Sequence, residues 1–142
     1  MSRASLVWFR DDLRLADNPA LTAAVTRGEP VVALYVLDEE SPGIRPLGGA
    51  AKWWLHGSLT ALAESLAEFG VQLVLRRGAA RSVVAEVVAE IDAGGVFWNR
   101  RYGASERDVD AGLKESLRAE GVEVASFGAS LLFEPWTIQT GS

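Results

Sequence analysis

The sequence predicts an α/β protein, a three-layer, doubly wound sheet of five parallel strands in a single domain. Three observations predict it. Short apolar segments alternate with longer amphipathic ones along the chain, the rhythm of strand–helix–strand units. The first two apolar segments, SLVWF and VVALYVL, are almost continuous, as strands covered on both faces require. A glycine, at Gly70, Gly94 and Gly121, separates three amphipathic segments from the next apolar one, and glycine ends helices because it tolerates a left-handed backbone. Right-handed crossovers with helices on both faces are met most simply by the order 3-2-1-4-5, which analogy supplies and sequence alone does not.

The elements follow in order. Ser5–Phe9 is the first strand. Asn18 then offers a side-chain oxygen to cap a helix, and Pro19 suits its first turn; capping is favoured over a ligand role for Asn18. This helix runs over Pro19–Arg27 and leads to the second strand, Val31–Leu37. The second helix, Gly49–Phe69, repeats Leu55, Leu59, Leu62, Leu66 and Phe69 at spacings of four and three, an apolar stripe that faces a sheet. Val71–Leu75 is the third strand. Val84, Val87, Val88 and Ile91 mark a third helix over Ala80–Asp92, and Gly95–Trp98 the fourth strand. Val109, Leu113 and Leu117 mark the fourth helix, Ser105–Glu120, before a last strand at Val122–Phe127.

A chain of 142 residues, 49% apolar and 23% charged, buries a core without staples. It has no cysteine and one histidine, His56, so a disulfide framework, a thiolate metal site and a His-rich metal site are all excluded. No apolar run reaches membrane-spanning length and Met1–Ser5 is too short and polar for a signal peptide; a soluble cytoplasmic protein with no membrane partner is expected. With 14 basic and 19 acidic residues the net charge is −5. No long basic run offers a path for a phosphate backbone, so nucleic acid is not expected to bind this domain directly.

In the order 3-2-1-4-5 the switch point lies between strands one and four, and ligands bind beyond their carboxyl ends. The loops there are Arg10–Asp17 and Asn99–Ala104, and each places an arginine two residues after a tryptophan, in WFRDDLR and WNRRYG. Arg10, Asp11, Asp12 and Arg14 can satisfy one another as bidentate pairs. Bracing of the loop or of a domain interface is favoured over direct ligand contact. Neither a G-x-x-x-x-G-K-[ST] phosphate loop nor a G-x-G-x-x-G after the first strand occurs. Gly48-Gly49 reads as a flexible connection. Lys52 sits in the first turn of the second helix, where the helix dipole disfavours a cation; a ligand, an acidic neighbour and plain solvation all remain open. Trp53 and Trp54 adjoin, so both cannot lie on the stripe; one is expected to pack on the sheet and the other to flank a crevice or meet another domain. His56 reads as a surface or capped residue. No nucleophile–base set or poised carboxylate pair emerges, which leaves a ligand-binding α/β domain without visible catalytic machinery.

The stretch WFRDDLRLADNPAL closely resembles the N-terminal motif of the DNA photolyase/cryptochrome family, W-F-R-x-D-L-R-x-x-D-N-P-A-L. ALYVLDE, GGAAKWWLHGSLTAL, FWNRRY, SERDVD and LLFEP follow in the family's order, from Leu6 to Ser142. The resemblance implies a Rossmann-like antenna domain over residues 1–133, with 134–142 starting a linker to a helical FAD-binding domain. It implies as parent a light-driven lyase that splits cyclobutane pyrimidine dimers by electron transfer from reduced FAD. Damaged DNA would bind through the helical domain, and the α/β domain alone would be inactive. A photosensory cryptochrome domain, signalling without repair, is the alternative.

In the family this domain commonly holds an antenna chromophore that absorbs light and passes the energy to FAD. Folate-type members carry N-E-R after the fourth strand; this chain has Ser105-Glu106-Arg107, which keeps the acid and replaces the asparagine. Deazaflavin-type members use a crevice at the ends of strands one, two and four, with a basic residue starting the second helix. Arg10, Leu37, Asp38, Lys52 and Arg101 match those places, with Asn99 at the mouth of the neighbouring loop. The resemblance therefore implies an antenna site of Arg10, Leu37, Asp38, Lys52, Asn99, Arg101 and Glu106, a deazaflavin being favoured over methenyltetrahydrofolate or a flavin, and no catalytic or metal-binding residue.

Overall fold

A computed structural model describes residues 3–10, 13, 15, 18–41, 48–101 and 103–128. Its elements are β1 (Ala4–Phe9), α1 (Pro19–Thr26), β2 (Val31–Leu37), α2 (Gly49–Ala67), β3 (Gln72–Arg77), α3 (Ala80–Ile91), β4 (Ala93–Asn99), α4 (Ala104–Ala119) and β5 (Glu123–Phe127). All strand pairs are parallel and the order is β3-β2-β1-β4-β5, as expected. Residues 134–142, the expected linker, lie outside the described residues, as do Asp11, Asp12 and Arg14.

Successive strand residues face opposite sides of the sheet, and the apolar runs are divided accordingly. Leu6, Trp8, Leu34, Val36, Val96 and Trp98 pack with Val84 and Val87 of α3 and Leu113 and Leu117 of α4. Val7, Phe9, Ala33 and Phe97 pack with Ala20 and Ala24 of α1 and Leu62 and Leu66 of α2. Helices thus change sides between β1 and β4, which opens the switch point at their carboxyl ends. Asn18 caps α1 by accepting from the Leu21 N–H at 3.1 Å.

Three expectations need correction. Gly94 does not stop α3. Asp92 does, with φ 52°, because a short polar side chain also tolerates the left-handed region. Gly94 and Gly95 belong to β4; a Cβ on Gly94 would meet Arg27 Nη2 at 2.5 Å and Arg3 Cβ at 2.7 Å. The third strand runs from Gln72 to Arg77 rather than from Val71 to Leu75. Its pairing with β2 continues through Val36–Arg76 and Leu37–Arg77, and an edge strand accepts such charges. The α2 stripe is buried at Leu62 and Leu66 alone. Leu55 and Leu59 are half-buried and Phe69, just past the helix end, is 74% exposed. The first half of α2 therefore stands away from the sheet.

Candidate functional site

At the switch point the two strand-end tryptophans, Trp8 and Trp98, meet edge to face, with centroids 5.4 Å apart and planes at 79°. The Arg10 guanidinium lies 4.4 Å from the Trp8 ring centre and 5.7 Å from that of Trp98. Arg101 approaches Trp8 at 5.4 Å. Both arginines converge on one carboxylate: Arg10 Nη1 donates to Asp110 Oδ1 at 2.9 Å and Arg101 Nη2 to the same oxygen at 2.7 Å. Arg10 Nη2 also donates to the Asn99 carbonyl. The Asn99 amide donates to Asn18 Oδ1 at 2.8 Å and its Oδ1 accepts from the Ala20 N–H at 3.1 Å. Arg10 and Asn99 are 6% and 4% exposed, so these two side chains close the strand ends between β1 and β4, while Arg101 and Asp110 reach the lining of a pocket beside α4. Buried charge is tolerable here because it is paired and hydrogen-bonded.

Asp110 was not singled out from the sequence. It sits three residues before Leu113 and seven before Leu117 on α4, on the helix's core-facing stripe. A carboxylate in that register is the signal that would have marked it.

Asp38 follows β2 and organises the next turn. Its Oδ1 accepts from the Glu40 and Ser41 N–H groups, both at 2.9 Å. Its Oδ2 accepts from the Ser41 hydroxyl at 2.5 Å and from the Ala80 N–H at 3.1 Å, which also ties the turn to the first residue of α3. Burial works to raise the carboxyl pKa; the hydrogen bonds from Ser41, Glu40 and Ala80 outweigh it and hold the pKa below its ordinary value.

Leu37 and Lys52 meet elsewhere. Where α2 stands off the sheet, a cavity of about 430 Å³ opens between the helix and the β2–β3 edge. Tyr35, Leu37, Leu55, Leu59 and Leu75 form apolar walls, and Lys52, His56 and Arg77 add nitrogen to the lining. Lys52 pairs with Glu39 at 3.1 Å, an acidic neighbour being one of the three readings its place near the helix start left open. Arg76 is held bidentately by Glu90 at 2.9 and 3.0 Å. Trp53 and Trp54, one turn into α2, are 80% and 67% exposed, so neither packs on the sheet. Glu106 lies apart from all of these. Its carboxylate folds back against Gly103, which precedes the first turn of its own helix, the position of the acid in a capping box.

The seven expected residues are thus divided. Arg10, Asn99 and Arg101 form the switch-point network; Leu37 and Lys52 line the α2 crevice; Asp38 braces the turn beside it; Glu106 covers the start of α4. Among the described residues no cluster of acids and histidine could hold a metal ion, and no helix is long and apolar enough to cross a membrane.

A doubly wound parallel sheet with an apolar crevice beside its strand ends defines a Rossmann-like α/β domain. The family model for DNA photolyase matches residues 5–142. The chain is 49% identical over 137 residues to a deoxyribodipyrimidine photo-lyase of Agrobacterium fabrum, covering 96% of this chain and 28% of that protein. It is 42% identical to Cryptochrome-1 of Arabidopsis thaliana, covering 94% of this chain and 20% of that one. The crystal structure of a bacterial class III photolyase from Agrobacterium tumefaciens superposes with a TM-score of 0.85 at 45% identity, over 96% of this chain and 28% of that one. The chain belongs to the DNA photolyase family and has the fold of its N-terminal α/β domain. It spans roughly a quarter of the length of these relatives.

Proposed function

We propose that this domain is the light-harvesting part of a photolyase, holding an antenna chromophore in the crevice between α2 and the β2–β3 edge. The observation that carries the reading is the cavity of about 430 Å³ with apolar walls and cations in its lining. Passing excitation energy requires no covalent chemistry from the protein, only fixed position, orientation and exclusion of water. A preformed apolar cleft with a few polar anchors suits that task. Leu37, Leu55 and Leu59 would bury the ring system, and Lys52 would anchor an electronegative edge, with Asp38 holding the adjacent turn. The chromophore would supply near-UV or blue absorption. A deazaflavin is favoured over a flavin or methenyltetrahydrofolate. Glu106, the acid of a folate-type site, is folded over its own helix start, and the asparagine of that motif is Ser105 here.

The parent would use FAD in a separate helical domain to split cyclobutane pyrimidine dimers, with this domain inactive alone. The 42% identity to Cryptochrome-1 supports a second reading, a photosensory domain that signals without repair. Titrating the protein separately with a deazaflavin, a folate and a flavin, followed by absorbance and fluorescence, tests the reading. Saturable binding of one with a shifted spectrum is expected, weakened about tenfold in Lys52→Ala, the effect of one charged contact, and weakened also in Asp38→Ala, which releases the turn that Asp38 holds beside the crevice. Unchanged affinity in both variants would remove the crevice from the account.

A further inference from the structure

The opposite face of the sheet carries a concentration of positive charge that the antenna reading does not use. Between α4 and the carboxyl ends of β4 and β5 lies a pocket of about 350 Å³, whose lining includes Arg100, Arg101, Arg107, Lys114, Asp110 and Ser126. Four cations face one carboxylate there, in a chain whose net charge is −5. The carboxylate is already engaged, since Asp110 accepts from both Arg10 and Arg101. Among the described residues, no acid lies within ion-pairing distance of Arg100, Arg107 or Lys114.

Two of these cations are drawn onto a single hydroxyl. Ser126 Oγ accepts from Lys114 Nζ at 3.0 Å and from Arg100 Nε at 3.4 Å, and the Ser126 carbonyl accepts from Arg100 Nη2 at 3.4 Å. A hydroxyl whose lone pairs are taken by two donors has its own proton left to give. The crowding is felt electrostatically. Burial first, and then the charges of Arg118 and Arg100, hold the Lys114 ammonium below its ordinary pKa. An anion among these groups would relieve the repulsion and accept charge-assisted hydrogen bonds.

We infer that this pocket binds a compact dianion, the phosphate monoester of a small molecule, through Arg100, Arg107, Lys114 and the Ser126 hydroxyl. The shape favours a monoester over a nucleic-acid strand. The cations converge on one concavity from α4 and from the segment after β4, whereas a strand is followed by a stripe of positive charge. The inference does not depend on the antenna crevice, which lies across the sheet.

Calorimetry and ³¹P line broadening with inorganic phosphate and with adenosine monophosphate, at low chloride, test it. Saturable one-to-one binding is expected. Lys114→Gln and Arg107→Gln should each weaken it about tenfold, the effect of losing one hydrogen bond to a charged group, with circular dichroism confirming that both variants fold. Arg81→Gln makes the same change in net charge on α3 and should leave binding intact. Non-saturable heats, or equal weakening in Arg81→Gln, would overturn the site in favour of bulk attraction. A single-stranded oligonucleotide that binds more tightly than the mononucleotide, and is lost in the same variants, would overturn the choice of ligand. Lys114→Gln should leave chromophore titration of the crevice unchanged, so the two readings fail separately.

Discussion

Two carboxylates govern the region around the strand ends, and they do so differently. Asp110 is the shared acceptor of Arg10 and Arg101, and its loss would leave a buried guanidinium without its acid. Asp110→Ala should therefore destabilise the protein by about 3–5 kcal/mol in denaturant unfolding. Adding Arg10→Met to Asp110→Leu should recover part of that loss, because it removes the more buried of the two guanidiniums, while Arg101 still lacks its acid. Asp38 acts through a depressed pKa. Its contribution to stability is present in full above the unfolded carboxyl pKa, roughly 3.9, and is lost as pH falls through the lower folded value. The stability difference between the wild type and Asp38→Asn should be constant near neutral pH and shrink below about pH 4. A difference independent of pH down to the acid limb would show that the carboxylate's charge contributes nothing.

At the scale of the elements, α2 and β4 show how partners redistribute what a local pattern announces. The leucine stripe of α2 is regular from Leu55 to Phe69, but the sheet covers only its C-terminal half. Leu66→Ala should cost about 2–5 kcal/mol. Phe69→Ser should change the unfolding free energy by no more than about 0.5 kcal/mol, since the ring is mostly in water already. β4 carries its constraint in Gly94, where a methyl would press on Arg27 and on the Arg3 Cβ. The guanidinium can move aside, whereas a Cβ is fixed to the backbone of the chain entering β1. Gly94→Ala should cost about 1–3 kcal/mol as an overpacked site, and a midpoint equal to wild type would mean that the start of the β1–β4 pairing yields freely.

For the molecule as a whole, the division of helices between two faces sets out separate surfaces. The α1/α2 face ends in the apolar crevice, and the α3/α4 face ends in the basic pocket. The charge of −5 surrounds both and opposes long polyanions. Duplex DNA should accordingly not be retarded by this domain in a gel-shift assay at physiological salt. Irradiation of the domain with damaged DNA should leave the lesions intact. Photorepair under those conditions would overturn the proposal that the chemistry belongs to a separate flavin domain.

The sequence by itself determined the α/β class, the number and succession of elements, and the family. Those rest on local patterns that any fold must respect: continuous apolar strands, stripes at helical spacing, a cap at Asn18 and glycine turns at Gly70 and Gly121. The run WFRDDLRLADNPAL added a specific family match. Tertiary structure decided which residues meet. Arg10 finds its acid a hundred positions away at Asp110, Lys52 finds Glu39, and Asp38 reaches Ala80. It also separated Arg10 and Asn99 from Leu37 and Lys52, which had been grouped by their places at strand ends. The physical reason is range. Capping and turns are settled within a few residues, whereas a buried charge and an open crevice depend on how closely α2 and α4 approach the sheet, and no local pattern encodes that distance.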